Sequence, residues 1–214
     1  MKKYELTEET KTLDGGTVVH RIRALRDIKL KGCTAVMEGS LGGWIEREDN
    51  LSQVGAAWVY GEAVVYENAR VCENAWVYEN ARVYGKGWVG GKAQVGGKAQ
   101  VYGKASVFGE AWVGGDARVS GDARVSGEAR VSGEARVYGK GWVGGKAQVG
   151  GKAQVYGKAQ VYCEAWVGGD ARVYGEACVY GEACVYGDSE VCGETMVSGA
   201  VKVCGKARGF WRGA

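Results

Sequence analysis

The stretch VYGEAVVYENARVCENAWVYENARV, residues 59–83, decides the fold. Val stands at every sixth position in it. The register continues from Val59 to Val203 without exception, 25 times in succession. Two residues before most of these valines stands Ala, as at Ala57, Ala63, Ala69, Ala75 and Ala81; Gly87, Gly141, Ser189, Thr195 and Val201 replace it. Between each Val and the next Ala lies a turn pair, Glu-Asn early (Glu67-Asn68, Glu79-Asn80) and Gly-Lys, Gly-Asp or Gly-Glu later. The consensus is V-[YGS]-G-[KDE]-A-[RQW].

A period of six fits neither an amphipathic helix nor a coiled coil. It fits a short strand followed by a turn. Ala and Val are two apart, so in a strand they point to one side, while the residue between them and the residue after Val point to the other. Gly and Asn accept the positive φ that a tight corner needs. Each hexad is then one flat side of a coil, with Val and a small residue inside.

Sorting the residue after Val by period 18 gives the column Tyr66, Tyr84, Tyr102, Ser120, Tyr138, Tyr156, Tyr174, whereas periods of 12 or 24 mix Tyr with Gly and Ser. Residues 82–119 and 136–173 are the same 38-residue string except at Ser106/Gln160, Phe108/Tyr162 and Gly109/Cys163, and their offset of 54 is three times 18. Three hexads therefore make one triangular coil, and the repeats hold between eight and nine coils. At a strand spacing of about 4.8 Å the prism is about 40 Å long.

Composition agrees. The 214 residues contain 38 Gly, no Pro and a net charge of +3, against ordinary usage of about 7% Gly and 5% Pro. Collagen needs Pro, and a disordered linker would not be 46% hydrophobic. No apolar run approaches the roughly 18 residues of a membrane helix, and the start, MKKYELTEET, lacks an apolar signal core. These features predict a soluble, cytoplasmic, repetitive protein. The seven cysteines (33, 72, 163, 178, 184, 192 and 204) are odd in number and contain no C-x-x-C pair. They read as substitutions at repeat positions rather than as a disulfide framework or metal site.

The hexad resembles the bacterial hexapeptide-repeat family, in which an aliphatic residue is followed four later by a small one; V-Y-E-N-A-R (65–70) matches it closely. The resemblance covers about 155 residues and implies a left-handed parallel β-helix, the hand coming from the family alone. The segments KYELTEET (3–10) and LGGWIEREDNLSQ (41–53) resemble those of uncharacterised bacterial and phage members. The family includes acyltransferases, which use a histidine as general base, and carbonic anhydrases, which hold zinc on three histidines. This chain has one His, His20, outside the hexads, and no loop interrupts the hexads to wall a pocket. A non-enzymatic protein without cofactor or metal is therefore expected, an acyltransferase-like enzyme being the disfavoured alternative.

The expected organisation is a β-rich N-terminal cap (1–53), an all-β solenoid (54–208) and a C-terminal tail (209–214) in which Phe210 and Trp211 close the far end. Leu13 to Thr17 reads as a turn between strands, and Ile28/Leu30 alternates.

Two sets of outward residues are the candidate binding elements. Trp58, Trp76, Trp112 and Trp166 share one face, and Trp88 and Trp142 another. Exposed aromatic rows mark interaction sites, so these six are assigned to a protein partner or to self-association in a homo-oligomer. The competing reading is packing over glycines such as Gly90, Gly96 and Gly114. The second set is Lys86, Lys92, Lys98 and Lys104 with the duplicates Lys140, Lys146, Lys152 and Lys158, which would attract a polyanion. Acid-rich bands interrupt them, so nucleic acid is a weak expectation. The remaining charges are expected to pair locally, as Asp116/Arg118, Asp122/Arg124, Glu128/Arg130 and Glu134/Arg136. The reading as a whole is a binding or scaffold protein, in its most specific form a phage-encoded protein aimed at a host partner.

Overall fold

A computed structural model describes residues 2–30, 33–205 and 208–209. Each hexad contributes a short strand ending in its Val, and each such rung pairs in parallel with the rung three hexads on, as Arg82↔Gln100 and Val83↔Val101 do. Three sheets result. Face I carries Val65, Val83, Val101 and Val119; face II carries Val71, Val89, Val107 and Val125; face III carries Val59, Val77, Val95 and Val113. The fold is an all-β solenoid with three hexads to the coil, and face III has nine rungs.

The backbone explains why so short a strand suffices. In one hexad, Trp58 N–H donates to Ala75 O (3.0 Å), Tyr60 to Val77 O (2.8 Å) and Glu62 to Glu79 O (3.0 Å), while Ala63 N–H closes the corner on Tyr60 O (3.1 Å). Most donors are satisfied by the neighbouring coil rather than within the hexad, which meets the requirement that buried peptide groups be paired. The valines and alanines of the register fill the interior and are almost fully buried from Val59 to Val197. Each buried Val contributes about 1.5 kcal/mol or more, and stability accumulates coil by coil.

Corners need a left-handed residue, and in the later coils it is Gly, as at Gly85 (φ 71°) and Gly103 (φ 69°). A Cβ on Gly85 would lie 2.9 Å from the Gly103 amide nitrogen, so stacking as well as φ demands Gly there. In the early Glu-Asn corners the left-handed residue is Glu, not the expected Asn: Glu67 (58°), Glu73 (60°) and Glu79 (59°). Each carboxylate accepts a 2.7 Å hydrogen bond from the corner amide of the next coil, at Gly85, Gly91 and Gly97 respectively.

The N-terminal segment forms β1 (Tyr4–Thr12), β2 (Val18–Ala24), β3 (Ile28–Leu30), β4 (Cys33–Val36) and β5 (Leu41–Ile45). β1 and β2 pair antiparallel across the turn at 13–17, as the sequence predicts. β2 pairs with β5, and β5 runs parallel to the Val64–Val65 rung, so these strands continue face I as one sheet. Trp44 pairs with Val64 and Leu51 with Val71, an offset slightly longer than the regular coil. The first coil side thus begins inside the segment read as a cap.

Three buried residues lock this end. The Tyr4 hydroxyl reaches the Glu48 (2.9 Å) and Leu51 (2.7 Å) carbonyls. The Lys3 ammonium donates to Ala57 O at 2.8 Å, and the Tyr4 ring meets Trp58 edge-on at 6.2 Å. Phe210 and Trp211 lie outside the described residues.

Candidate binding faces

The structure places Trp58, Trp76, Trp112 and Trp166 on face III and Trp88 and Trp142 on face II. It corrects their exposure. Trp58 is buried, because Tyr4 covers it, and offers nothing to a partner. Trp76, Trp88, Trp112 and Trp142 are half-buried, and of the six only Trp166, 41% accessible, is an exposed ring.

Trp88, Trp112, Trp142 and Trp166 follow one rule, whereas Trp76, which precedes Val77-Tyr78, meets the Tyr60 ring edge-on at 5.4 Å. Where the hexad reads Trp-Val-Gly, the indole folds over that Gly: an added Cβ at Gly90, Gly114, Gly144 or Gly168 would come within 2.3–2.7 Å of the preceding Trp ring. The indole N–H then points back along the solenoid. Trp142 donates to Ser126 Oγ (2.9 Å) and Trp88 to Cys72 Sγ (3.0 Å). Trp112 donates to the hydroxyl of Tyr78 (2.9 Å), whose ring covers Gly96. On the other side the rings meet an aromatic one coil on: Trp88–Phe108 at 5.9 Å, Trp142–Tyr162 at 5.7 Å and Trp166–Tyr186 at 5.9 Å. Packing over glycine, the competing reading, describes Trp88, Trp112, Trp142 and Trp166 but neither Trp58 nor Trp76, and Gly96 lies under the Tyr78 ring.

Face I carries two tyrosine stacks. Tyr66, Tyr84 and Tyr102 stack at 5.1 and 5.0 Å, and Tyr138, Tyr156 and Tyr174 at 4.8 and 4.9 Å. Burial in the stack pushes the phenols of Tyr84, Tyr138 and Tyr156 above their ordinary range. The Tyr84 and Tyr138 hydroxyls donate to the strand residue of the next coil, Gln100 (3.3 Å) and Gln154 (3.1 Å).

The charges pair vertically, which corrects the local pairing. None of Asp116/Arg118, Asp122/Arg124, Glu128/Arg130 or Glu134/Arg136 is an ion pair among the described residues. The bridges join one coil to the next: Lys92–Glu110 (2.6 Å), Lys146–Glu164 (3.7 Å), Lys158–Glu176 (2.6 Å) and Arg172–Glu190 (3.5 Å). The pairing raises the Lys158 ammonium and lowers the Glu176 carboxyl. These bridges are largely exposed, and such pairs contribute little to stability.

The eight lysines occupy all three corners. One corner column reads Lys86, Lys104, Asp122, Lys140, Lys158, Glu176; Lys92 and Lys146 lie on the second corner, Lys98 and Lys152 on the third. An acid breaks every column, and no continuous basic track forms. The late cysteines are likewise dispersed, Cys178 on face II, Cys192 on face I, Cys184 and Cys204 on face III. His20 sits in β2 with Nδ1 3.4 Å from the Thr7 carbonyl oxygen.

Face II carries a broad cleft of about 940 Å³ lined by Phe108, Asp122, Arg124, Ser126, Lys140, Trp142, Lys158 and Gln160. It unites Trp142 with Lys140 and Lys158, which the sequence assigns to separate partners. Phe108, Asp122, Arg124, Ser126 and Gln160 are missed by the sequence reading as site residues. Ser126 and Gly144 stand in the column between the rings of Phe108 and Tyr162; the Trp142 indole covers Gly144, and the cleft is lined by Phe108, Ser126 and that indole. Arg124 and Lys140 form no ion pair among the described residues.

Comparison with known proteins agrees with this architecture. The profile described as YdcK Beta solenoid repeat matches residues 129–145. That stretch holds the rungs Arg130–Val131, Arg136–Val137 and Trp142–Val143, one on each face. No curated protein matches the chain. Among the described residues, no helix is long and apolar enough to cross a membrane.

Proposed function

We propose that the chain is a non-enzymatic binding or scaffold protein that offers the face II cleft to an acidic, partly apolar surface of a protein partner or of a second copy. One observation carries this reading: Phe108 and Trp142 flank a cleft in which Arg124 and Lys140 form no ion pair among the described residues. Aromatic and Arg residues in a desolvated pocket are the usual anchors of an interface, and a cationic rim selects a partner of opposite charge. The uninterrupted coils and the position of the one His in β2 support a role without catalysis. The acids that break every lysine column disfavour nucleic acid. The same proposal holds the winding to be left-handed and of hexapeptide-repeat type, and the setting to be the cytoplasm of a bacterium or phage host.

The test is light scattering on the purified full chain, alone and after affinity capture, with K140E and W142A variants alongside. A discrete homo-oligomer or a stoichiometric complex that both variants weaken supports the proposal. A monomer that retains no partner, or an assembly unchanged by both variants, overturns it.

A further inference from the structure

The geometry points to a ligand slot on face I, at the break between the two tyrosine stacks, that takes a single aromatic ring bearing an anionic group. The column of rings runs Tyr66, Tyr84, Tyr102, then Ser120, then Tyr138, Tyr156, Tyr174. Ser120 is the one rung among these seven without a ring. Successive rings in the column lie 4.8–5.1 Å apart. Tyr102 and Tyr138 are two coils apart, so one guest ring between them keeps the spacing that the column uses elsewhere. The break opens a cavity of about 210 Å³ lined by Tyr102, Arg118, Ser120, Arg136 and Tyr138. That volume suits one ring with a small substituent.

The charge of the guest follows from the same register. Tyr84 and Tyr138 direct their hydroxyls to the strand residue of the next coil, Gln100 and Gln154. At the break the corresponding residue is Arg136, and its neighbour on the preceding rung is Arg118. Two guanidinium groups are therefore paired across adjacent rungs where a seventh tyrosine would place its hydroxyl. Neither forms an ion pair or a side-chain hydrogen bond among the described residues. A phosphate or carboxylate on the guest ring relieves their repulsion and is held by charge-assisted hydrogen bonds. The ring supplies stacking on both sides. The slot lies on a different face from the cleft proposed for a partner and is independent of it.

The test is calorimetric titration of the full chain with phenyl phosphate, with inorganic phosphate and phenol as single-feature controls. Phenyl phosphate should bind at least tenfold more tightly than either control. Ser120→Tyr completes the column, keeps the fold by circular dichroism and abolishes binding. Arg136→Gln keeps the fold and weakens phenyl phosphate at least fivefold, and it serves alone if the tyrosine variant does not fold. Binding of inorganic phosphate equal to that of phenyl phosphate, undiminished binding in both variants, or no binding of phenyl phosphate overturns the proposal.

Discussion

The Glu73 carboxylate accepts a 2.7 Å hydrogen bond from the backbone amide of Gly91, the corner residue one coil on. Glu73 itself is left-handed, with φ of 60°. A non-glycine residue in that region costs about 1–2 kcal/mol, and the hydrogen bond that the Gly91 amide donates to the carboxylate offsets it. Glu73→Ala keeps the strain and loses the bond, so it should lower stability by about 1–2 kcal/mol in chemical denaturation. Glu73→Gly loses both and should stay within about 0.5 kcal/mol of the parent. Equal losses in the two variants would show that the left-handed backbone at residue 73 carries no strain for the bond to offset.

How much of this was legible can be judged from these corners. The hexad, the three-hexad coil and the grouping of Trp58 with Trp76 follow from side chains that alternate along the chain, a one-dimensional signal. The choice of Glu over Asn as the left-handed residue does not, because it depends on a carboxylate reaching an amide in the next coil. The ion pairs differ from expectation for the same reason. Asp116 and Arg118 are close along the chain, whereas Lys92 and Glu110 are close in space because strands stack at about 4.8 Å. Burial of Trp58 was invisible because Tyr4, which covers it, lies in a segment without the repeat. The cleft and the slot were legible only as irregularities in columns already sorted, at Ser126 with Gly144 and at Ser120.

The tryptophan rule yields a paired test. A Cβ on Gly114 would lie 2.3 Å from Trp112 Cζ2, whereas on Gly150 its nearest neighbour is Ser132 Oγ at 3.5 Å. Neither glycine has positive φ. Gly114→Ala should displace the indole, break its bond to Tyr78 and cost about 1–3 kcal/mol, as overpacking does. Its tryptophan emission should shift to the red. Gly150→Ala should change stability by less than about 0.5 kcal/mol and leave emission unchanged. A Gly114→Ala protein with parental stability and emission would contradict the packing of Trp112 over glycine.

Lys3 gives the N-terminal joint a pH signature. Burial, with repulsion from Arg26, lowers its ammonium from 10.5 to about 8. Between those values the unfolded chain binds more protons than the folded one, so stability rises with pH. The full cost of the buried charge, about 3 kcal/mol, is present below pH 8 and is relieved by about pH 10.5. Lys3→Met removes the titrating group along with its bond to Ala57. The difference in stability between parent and variant should therefore move in the parent's favour as pH rises from 8 to 10.5. A difference that stays constant over that range would place the Lys3 ammonium in water.

Val119 and the coil that carries it separate local from global stability. Val119 is fully buried on face I, between Val101 and Val137. Val119→Asp places a carboxylate where no partner exists and should cost about 3–5 kcal/mol, the order of an uncompensated buried charge. Removing the segment 82–135 removes Val119 altogether, yet it deletes three whole coils and sets Arg136 after Ala81 where Arg82 stood. Every column stays in register, and the new neighbours are again Val on Val. The shortened chain should fold cooperatively, with a β-sheet circular dichroism signal per residue like that of the parent. It should melt at a higher temperature than the full-length Val119→Asp protein, because stacked repeats depend on nearest neighbours. An unfolded deletion protein beside a stable Val119→Asp protein would reverse the assignment of inside and outside.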